Sequence, residues 1–341
     1  MNFAKFDAII DVRSPSEYAE DHIPGAVSAP VLDDAERARV GTMYKQVSAF
    51  EAKKVGAALL AKNAAQHIQN LFRDKPKSWH PLVYCWRGGK RSGAMAHILR
   101  EIGWNADTLE GGYKAYRRFV VSELSRLPST LDFTVIHGPT GSGKSRLLGA
   151  LRHAGAQVLD LEDLAAHRGS VLGNLPERPQ PAQKMFESLL LRDLSALDAS
   201  RPVYVEGESK KIGELQVPDA LIERMRASPC IVLDTPLEAR VDLLLDEYRH
   251  FLENRALLEA QLDCLVGLHG RTRIAEWKSI QDWRELVSRL LVEHYDPAYR
   301  RSSTRNFTHL GDARSVRIAS AADSAFTAAA RALLDRTAVA A

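Results

Sequence analysis

The stretch from Phe133 to Ser145 reads FTVIHGPTGSGKS and decides the fold of the second half of the chain. Its first five residues are mainly aromatic and β-branched, as in a buried strand. Residues 138–145 fit the pattern G-x-x-x-x-G-K-[ST], and leucines at helical spacing follow them. A strand, a glycine-rich loop and a helix in this order are typical of a phosphate-binding loop in a parallel α/β fold.

The glycines of this loop allow successive backbone N–H groups to point at one bound phosphate. Lys144 adds a positive charge, and Ser145 is placed to ligate magnesium if that ion accompanies the ligand. Because the loop binds a diphosphate whatever the diphosphate carries, the sequence leaves ATP and other diphosphate esters open. The predicted binding residues are Gly138, Thr140, Gly141, Ser142, Gly143, Lys144 and Ser145.

Two carboxylates end neighbouring strand-like segments of the same half. Asp160 follows the run VL, and Glu206 follows VYV. The carboxyl ends of parallel strands form the edge at which α/β proteins bind ligands, so both residues are candidates to organise water or a metal there. The alternative for each is a carboxylate that caps a neighbouring helix.

Strand-like and helix-like segments alternate through both halves of the chain, which predicts an α/β fold with parallel sheets. Residues 128–132, PSTLD, read as a linker, because Pro128 ends a helix and a new strand begins at Phe133. We therefore predict one domain over residues 1–127 and a second over 128–341, whose C-terminal part is helical. The predicted strands cover 7–12, 82–86, 133–137, 157–161, 203–207 and 230–234, and the clearest helices cover 92–102, 113–127, 144–153 and 321–336.

Composition narrows the class of protein. The chain has 341 residues, of which 45% are hydrophobic and 26% charged, so it can bury large cores and is not a disordered protein. A net charge of +3 is too small to indicate nucleic-acid binding by itself. Three cysteines without a C-x-x-C pair predict neither a disulfide framework nor a zinc site. With no signal peptide or membrane span in view, we expect a cytoplasmic protein and no membrane partner.

A second loop carries a cysteine among cations. Residues 82–92 read LVYCWRGGKRS, a buried-type strand that leads into a glycine-rich basic turn and a helix. A helix N-terminus and nearby cations lower the pKa of a thiol, and the thiolate is the nucleophile. We predict Cys85 as the catalytic nucleophile, whereas Cys230 and Cys264 lie in apolar segments, where cysteine is a small hydrophobe. The predicted anion-binding residues are Arg87, Gly88, Gly89, Lys90 and Arg91.

Three stretches around this loop resemble the signatures of rhodanese-type sulfurtransferases. They are DVRSPSEY at 11–18 with HIPGA at 22–26, the Cys85 loop itself, and LEGGY at 109–113. In such domains Asp11, Arg13 and Glu17 resemble a salt-bridged scaffold. Single-domain rhodaneses commonly show C-x-x-G-x-R, but here five residues separate Cys85 from Arg91. The longer loop predicts a wider cradle that suits a tetrahedral anion.

A rhodanese-like domain followed by a P-loop NTPase-like domain resembles the bacterial tRNA 2-selenouridine synthase family. The resemblance covers nearly the whole chain and includes CWRGGKRSG, GPTGSGKS, DLEDLAAHRGSVLG at 160–173, VEGESKKIG at 205–213 and HYDPAYRRS at 294–302. It implies replacement of sulfur by selenium in wobble 2-thiouridine of tRNA, with selenophosphate as donor. It also implies an S-geranyl intermediate made from geranyl diphosphate. In this reading Cys85 would attack selenophosphate at selenium and carry a perselenide.

The resemblance makes tRNA the partner, and an enzyme that supplies selenophosphate a further one. Trp86 is a candidate to stack on an unpaired base or, equally, to pack the loop. Two other functions stay open, namely a cysteine-dependent phosphatase, because C-x5-R is also its pattern, and a nucleotide-switched binding protein. The candidate phosphate-contacting residues for tRNA are Lys53, Lys54, Lys210, Lys211, Arg300 and Arg301.

Overall fold

A computed structural model describes residues 1–307 and 309–339. The chain divides into two compact units, the first formed by Met1–Glu123 with Ala182–Arg192 and the second by Leu124–Pro181 with Asp193–Ala341. This division differs from the predicted domains, 1–127 and 128–341, in one important respect. Residues 182–192 group with the first unit, although the prediction assigned them to the second domain.

The first unit is built on a parallel sheet of four strands in the order β2-β1-β3-β4. Every residue of β3 is buried, as expected of a central strand between two helical layers. Asp11 pairs with Tyr84 at the carboxyl edge, so the segments that follow β1 and β3 start side by side. The elements are β1 (Ala8–Asp11), α1 (Pro15–Glu20), β2 (Val27–Ser28), α2 (Asp34–Gln46), α3 (Ala49–Asn70), β3 (Pro81–Tyr84), α4 (Lys90–Ile102), β4 (Asp107–Thr108) and α5 (Gly112–Arg126).

The second unit is built on a parallel sheet of five strands in the order β11-β10-β5-β7-β6. Its central strand is β5, which delivers the glycine loop at the carboxyl edge. Between α7 and β7 the chain forms α8 (Gln183–Ser195), most of which groups with the first unit. The elements of the second unit begin with β5 (Phe133–His137), α6 (Lys144–His153), β6 (Gln157–Leu159), α7 (Leu161–Ala165), β7 (Val203–Glu206), β8 (Lys211–Ile212), β9 (Leu215–Gln216), α9 (Asp219–Arg226) and β10 (Cys230–Asp234).

Helices occupy most of the chain after β10. A core cluster that includes Phe251, Leu262 and Trp277 holds them together. A π-helical turn, Leu291–Tyr295, joins two of them. The elements are α10 (Leu237–Glu247), α11 (Arg249–Glu253), α12 (Arg255–Asp263), α13 (Val266–Ser279), α14 (Trp283–Leu290), α15 (Asp296–Asn306), β11 (Arg314–Arg317) and α16 (Asp323–Val339).

The structure confirms the predicted fold class, two parallel α/β sheets with a helical C-terminal part. Some boundaries were wrong. The strand before the cysteine ends at Tyr84, and the next helix begins at Lys90, so Cys85 and Trp86 belong to the loop. Strand β11 was not predicted, because its residues RSVR carry little hydrophobic pattern and bury only Val316. Among the described residues, no helix is both long and apolar enough to cross a membrane.

Candidate functional site

The backbone around Cys85 is held by a second glycine turn. Tyr113 N–H donates to the Cys85 carbonyl at 2.9 Å, and Lys114 N–H donates to the Trp86 carbonyl at 3.0 Å. Gly88 has φ +65°, and a Cβ there would meet the Leu109 carbonyl oxygen at 2.5 Å. Gly112 is as tightly enclosed, since its Cβ would lie 2.3 Å from the Cys85 carbonyl. The cysteine loop and the segment 109–113 therefore depend on each other's glycines.

Cys85 is a buried thiol with a lowered pKa. The residue is only 4% exposed, and its Sγ atom lies 3.2 Å from Ser92 Oγ. Burial alone would raise the pKa, but the Ser92 hydroxyl and the backbone N–H groups of Ser92, Gly89 and Arg87 stabilise the thiolate and lower it. These N–H groups belong to the turn that opens α4. Sequence reasoning did not select Ser92, which lies in the first turn of the helix where such an N–H ring forms.

The cations of this loop do not gather on the thiol. Arg91 Nη1 donates to Glu17 Oε2 at 2.9 Å, and Arg37 reaches the same oxygen at 3.2 Å. Arg87 and Lys90 are exposed. The expectation that Arg87, Lys90 and Arg91 lower the thiol pKa was therefore wrong as to cause, because hydrogen bonds dominate. Their assignment as anion-binding residues stays a prediction.

A buried ion pair contacts the segment that holds the Cys85 loop. Arg13 pairs with Asp11 at 2.6 Å, and both side chains are at most 1% exposed. The Arg13 guanidinium also donates to the Asp21 carbonyl and lies 3.8 Å from the centre of the Tyr113 ring. Tyr113 Oη donates to Asp21 at 2.7 Å. Asp11 and Arg13 thus form the salt-bridged scaffold that the sequence suggested.

The glycine loop between β5 and α6 is a tightly packed turn that could hold an anion. Gly141 and Gly143 have φ +75° and +85°, and a Cβ on Gly143 would collide with the Phe326 ring at 2.5 Å. Lys144 Nζ lies 3.3 Å from the Gly138 carbonyl, folded back along the loop. The N-terminus of α6 and this ammonium supply the positive field that a diphosphate requires.

Residues far along the chain fasten this loop. Arg240 donates to the Thr140 carbonyl at 3.0 and 2.8 Å and pairs with Asp296 at 2.6 Å. Thr235 Oγ1 donates to the Ser142 carbonyl at 2.9 Å. Within the loop the Ser142 N–H also donates to the Pro139 carbonyl at 3.0 Å, so its backbone is held from both sides. A preorganised loop of this kind binds an anion without having to rearrange first.

The carboxylates at this edge are not the two that the sequence selected. Glu162 and Glu208 line the cavity of the glycine loop, whereas Asp160 and Glu206 do not. Asp160 Oδ1 accepts from Asp163 N–H at 2.9 Å, and Glu206 Oε1 accepts from Glu162 N–H at 2.7 Å. Both therefore hold the N-terminus of α7, which was the alternative stated for them.

The charge of Glu162 acts on the carboxyl of its neighbour Glu208. Burial and the charge of Glu162 raise the pKa of Glu208 to about 8. Ser145 Oγ donates to Glu162 Oε2 at 2.9 Å. Burial and the Lys144 charge lower the pKa of His137, which lies under the loop, to about 4. At neutral pH burial thus favours the protonated carboxyl of Glu208 and the neutral imidazole of His137.

This cavity has a volume of about 400 Å³ and is completed by residues after α7 and in the C-terminal helices. Arg168 lies there, 5.2 Å from the Tyr248 ring centre and 3.2 Å from Glu247. His294, in the π-helical turn, lines the opposite side. Sequence reasoning missed these positions individually, although the segments that contain Arg168 and His294 carried the resemblance.

Two oxygen-bearing side chains beside the glycine loop could hold magnesium. The Ser145 hydroxyl and the Glu162 carboxylate lie within 2.9 Å of each other at the base of the cavity. Within residues 1–307 and 309–339, no cluster of three His, Cys, Asp or Glu side chains suits a metal ion. Magnesium often keeps several waters and takes few protein ligands beside substrate phosphates. The donor set therefore fits magnesium brought with a diphosphate.

The tRNA candidates lie on three separate segments of the surface. Lys54, Lys210 and Lys211 pair with Glu51, Asp219 and Glu214. Lys53, Arg300 and Arg301 are exposed. Trp86 is 37% exposed, with its ring 5.3 Å from that of Tyr113. The structure thus leaves part of the Trp86 ring available beside the thiol, and these assignments stay predictions.

The other two cysteines differ from each other. Cys230 is buried in β10, and burial raises its pKa. Cys264 is exposed after α12, so the expectation that it would behave as a small hydrophobe was wrong. The helical leucine pattern around Cys264 predicts a buried face, but the residue lies just beyond the helix end. Neither shares the hydrogen-bonded environment of Cys85.

Family models match both units. A model described as a rhodanese-like domain matches residues 1–119, and one described as the AAA domain of tRNA 2-selenouridine synthase matches residues 131–263. The first contains the Cys85 loop, and the second contains the glycine loop. The rhodanese-like and P-loop characters predicted for the two halves are thereby confirmed.

Several relatives carry the name tRNA 2-selenouridine synthase. The protein of Nitrosomonas europaea is 40% identical over 70% of this chain and 63% of its own length. That of Bdellovibrio bacteriovorus is 38% identical over 70% and 64%, so these alignments span less than two thirds of the relatives. The protein of Sulfurovum sp. is 32% identical over 89% of this chain and 90% of its own length.

Proposed function

Because the chain belongs to the tRNA 2-selenouridine synthase family, we propose that it replaces the sulfur of wobble 2-thiouridine in tRNA with selenium. The observation that supports this most directly is that one chain carries both a thiol of lowered pKa at a helix N-terminus and a cavity lined by a glycine-rich loop with a lysine. We propose that the first binds a phosphoryl group and the second a diphosphate. A phosphatase needs only the first site, and a nucleotide-switched binding protein needs only the second.

The glycine loop is proposed to hold geranyl diphosphate. The sulfur of 2-thiouridine attacks C1 of the geranyl group, the C–O bond breaks, and diphosphate leaves with the bonding electrons while the base loses its N3 proton. Lys144, the N–H groups at the start of α6 and Arg168 would stabilise the charge on the leaving diphosphate. Magnesium held by Ser145 and Glu162 would add to that stabilisation. Alkylation converts the sulfur into a better leaving group.

Selenium enters in the second step. The selenium of selenophosphate attacks C2 of the alkylated base, and geranyl thiolate leaves with the C–S electrons. The base then carries selenium bound to phosphorus. The N–H groups around Cys85, with Arg87 and Lys90 exposed at the same loop, would hold the phosphoryl group of that intermediate. The wider spacing between Cys85 and Arg91 suits such a tetrahedral group.

Cys85 is proposed to attack phosphorus. The P–Se electrons then move to selenium, which gives 2-selenouridine and an S-phosphocysteine that water hydrolyses to phosphate. Attack of Cys85 on the selenium of free selenophosphate, which would give the perselenide considered above, leaves the P–Se electrons on phosphorus and releases phosphite instead. Electron balance therefore connects the position of attack to a product that can be measured. Attack at phosphorus predicts phosphate as that product.

The proposed substrate is tRNA, and an enzyme that makes selenophosphate is a proposed partner. Both belong to the cytoplasm, where we propose that this protein works. Trp86, partly exposed beside Cys85, is proposed to stack on the unpaired wobble base. Lys53 and the exposed Arg300 and Arg301 are proposed phosphate contacts.

The proposal is tested with the full chain, 2-thiouridine tRNA, geranyl diphosphate and selenophosphate. Nucleosides are identified by mass spectrometry and phosphorus products by ³¹P NMR. We expect 2-selenouridine and one phosphate for each selenium transferred. Cys85→Ser should accumulate the base that carries selenium bound to phosphorus and form no 2-selenouridine, whereas Cys230→Ala should retain activity.

Other results of this experiment would contradict parts of the proposal. Formation of 2-selenouridine by Cys85→Ser would refute the role of this thiol, and release of phosphite would move the attack to selenium. Turnover of p-nitrophenyl phosphate without any change in tRNA would favour the phosphatase. Binding of ATP without any change in tRNA would favour the nucleotide-switched protein.

A further inference from the structure

An apolar cavity lies beside the phosphate cavity and shares part of its wall. Five residues line both spaces, and they include Thr140 of the glycine loop. From this common wall the second cavity runs in among α10, α11, α12, α14 and the π-helical turn. Its lining residues are Thr140, Ser170, Leu172, Leu244, Leu245, Tyr248, Phe251, Leu252, Leu258, Trp283, Val287, Leu290, Leu291 and Tyr295.

The few polar groups of this wall are engaged with each other. The Ser170 hydroxyl interacts with the hydroxyls of both Tyr248 and Tyr295. The Thr140 carbonyl accepts from Arg240. A purine base and ribose would present several donors and acceptors to these walls, and each would lose hydrogen bonds to water without a replacement. A hydrocarbon has no such groups to satisfy.

We propose that this cavity binds the hydrocarbon tail of a diphosphate ester whose head group occupies the glycine loop. The inference rests on the proposed function of that loop and adds the subsite that determines which ester is taken. The cavity has a volume of about 60 Å³ and a mainly apolar lining, so a hydrocarbon chain suits it better than a polar group does.

Hydrocarbon that lies against these walls is removed from water. Each buried methylene multiplies affinity by about fourfold. The affinity should thus rise at least tenfold from inorganic diphosphate to geranyl diphosphate, and dimethylallyl diphosphate, with the shorter hydrocarbon, should bind between the two.

Leu252 and Leu257 offer a matched pair of variants. Leu252 lines the cavity and is 38% exposed, while Leu257 is 39% exposed and does not line it. A glutamate at either position would be partly exposed to solvent. Only the glutamate at position 252 would place its charge against the hydrocarbon tail. Binding to the full chain is measured by calorimetry with dimethylallyl, geranyl and farnesyl diphosphate, inorganic diphosphate and ATP.

We expect Leu252→Glu to weaken the binding of geranyl diphosphate at least tenfold and to leave the binding of inorganic diphosphate unchanged. Leu257→Glu should bind both ligands as the native chain does. Equal affinity of the native chain for geranyl and inorganic diphosphate would overturn the tail cavity without any variant. So would unchanged geranyl diphosphate binding by a folded Leu252→Glu protein. Binding of ATP alone, with neither diphosphate, would instead overturn the proposed function of the glycine loop.

Discussion

A hydroxyl seven residues away, that of Ser92, contributes most to lowering the pKa of Cys85. Because hydrogen bonds from Ser92 and the α4 N-terminus lower the thiol pKa, the thiolate persists to lower pH than in an ordinary cysteine. Ser92→Ala removes the largest of these bonds and should raise the pKa. The loss of one hydrogen bond to a charged group, about 1.5 kcal/mol, should slow alkylation by iodoacetamide at pH 7 about tenfold.

The sign of this effect can be checked by a pH profile. Thiolate reactivity rises with pH, so the rising limb of the Ser92→Ala profile should move to higher pH, and both proteins should react alike once the thiol is fully ionised. Alkylation is followed at Cys85 by peptide mass spectrometry, with circular dichroism to verify the fold. A profile identical to that of the native chain would show that the Ser92 hydroxyl does not stabilise the thiolate.

At the level of elements, the turn between β3 and α4 contains two adjacent glycines with different roles. Gly88 has φ +65° and no room for a Cβ, whereas Gly89 has a negative φ and nothing within 4 Å. Gly88→Ala should therefore destabilise the protein by at least about 1 to 2 kcal/mol, because it combines left-handed strain with a backbone collision. Gly89→Ala should change stability by less than about 0.5 kcal/mol.

Urea unfolding of both alanine variants, with Cys85 alkylation measured alongside, tests this contrast. A Gly88→Ala protein as stable and as reactive as the Gly89→Ala control would mean that the turn adapts. The contact with segment 109–113 would then not position the thiol. Equal losses in both variants would point instead to a general need for flexibility in this turn.

For the whole molecule, the Cys85 loop and the glycine loop lie in different compact units. We propose that they serve separate half-reactions. Lys144→Ala should weaken diphosphate binding and reduce geranylation at least tenfold, because the negative charge on the leaving diphosphate is no longer stabilised by the lysine ammonium. The same variant should still convert pre-geranylated tRNA to 2-selenouridine at close to the native rate. Cys85→Ser should show the opposite behaviour.

Nucleoside mass spectrometry with 2-thiouridine tRNA and pre-geranylated tRNA as alternative substrates measures both half-reactions. If Lys144→Ala stays inactive on the pre-geranylated substrate while its circular dichroism is native, the glycine loop takes part in selenation. A Lys144→Ala protein that geranylates normally would place the diphosphate elsewhere.

Local sequence by itself determined the two loops and the sheets that present them. The glycine spacing over residues 138–145 and the apolar run before it allow few alternatives to a strand, an anion-binding turn and a helix. Cys85 could be distinguished from Cys230 for the same reason, since glycines and a helix start follow it within a few residues. These features depend on neighbours in the chain, and short-range patterns record them directly.

Only the tertiary structure decided which distant groups complete each site. It directs Arg91 to Glu17, 74 residues away, and brings Glu162 and Glu208 to the cavity in place of Asp160 and Glu206. A strand end shows which edge of the sheet a carboxylate occupies. Whether that carboxylate faces the ligand or caps a helix depends on how the next element packs. That packing is decided by the burial of side chains that are remote in sequence, and no local pattern records it.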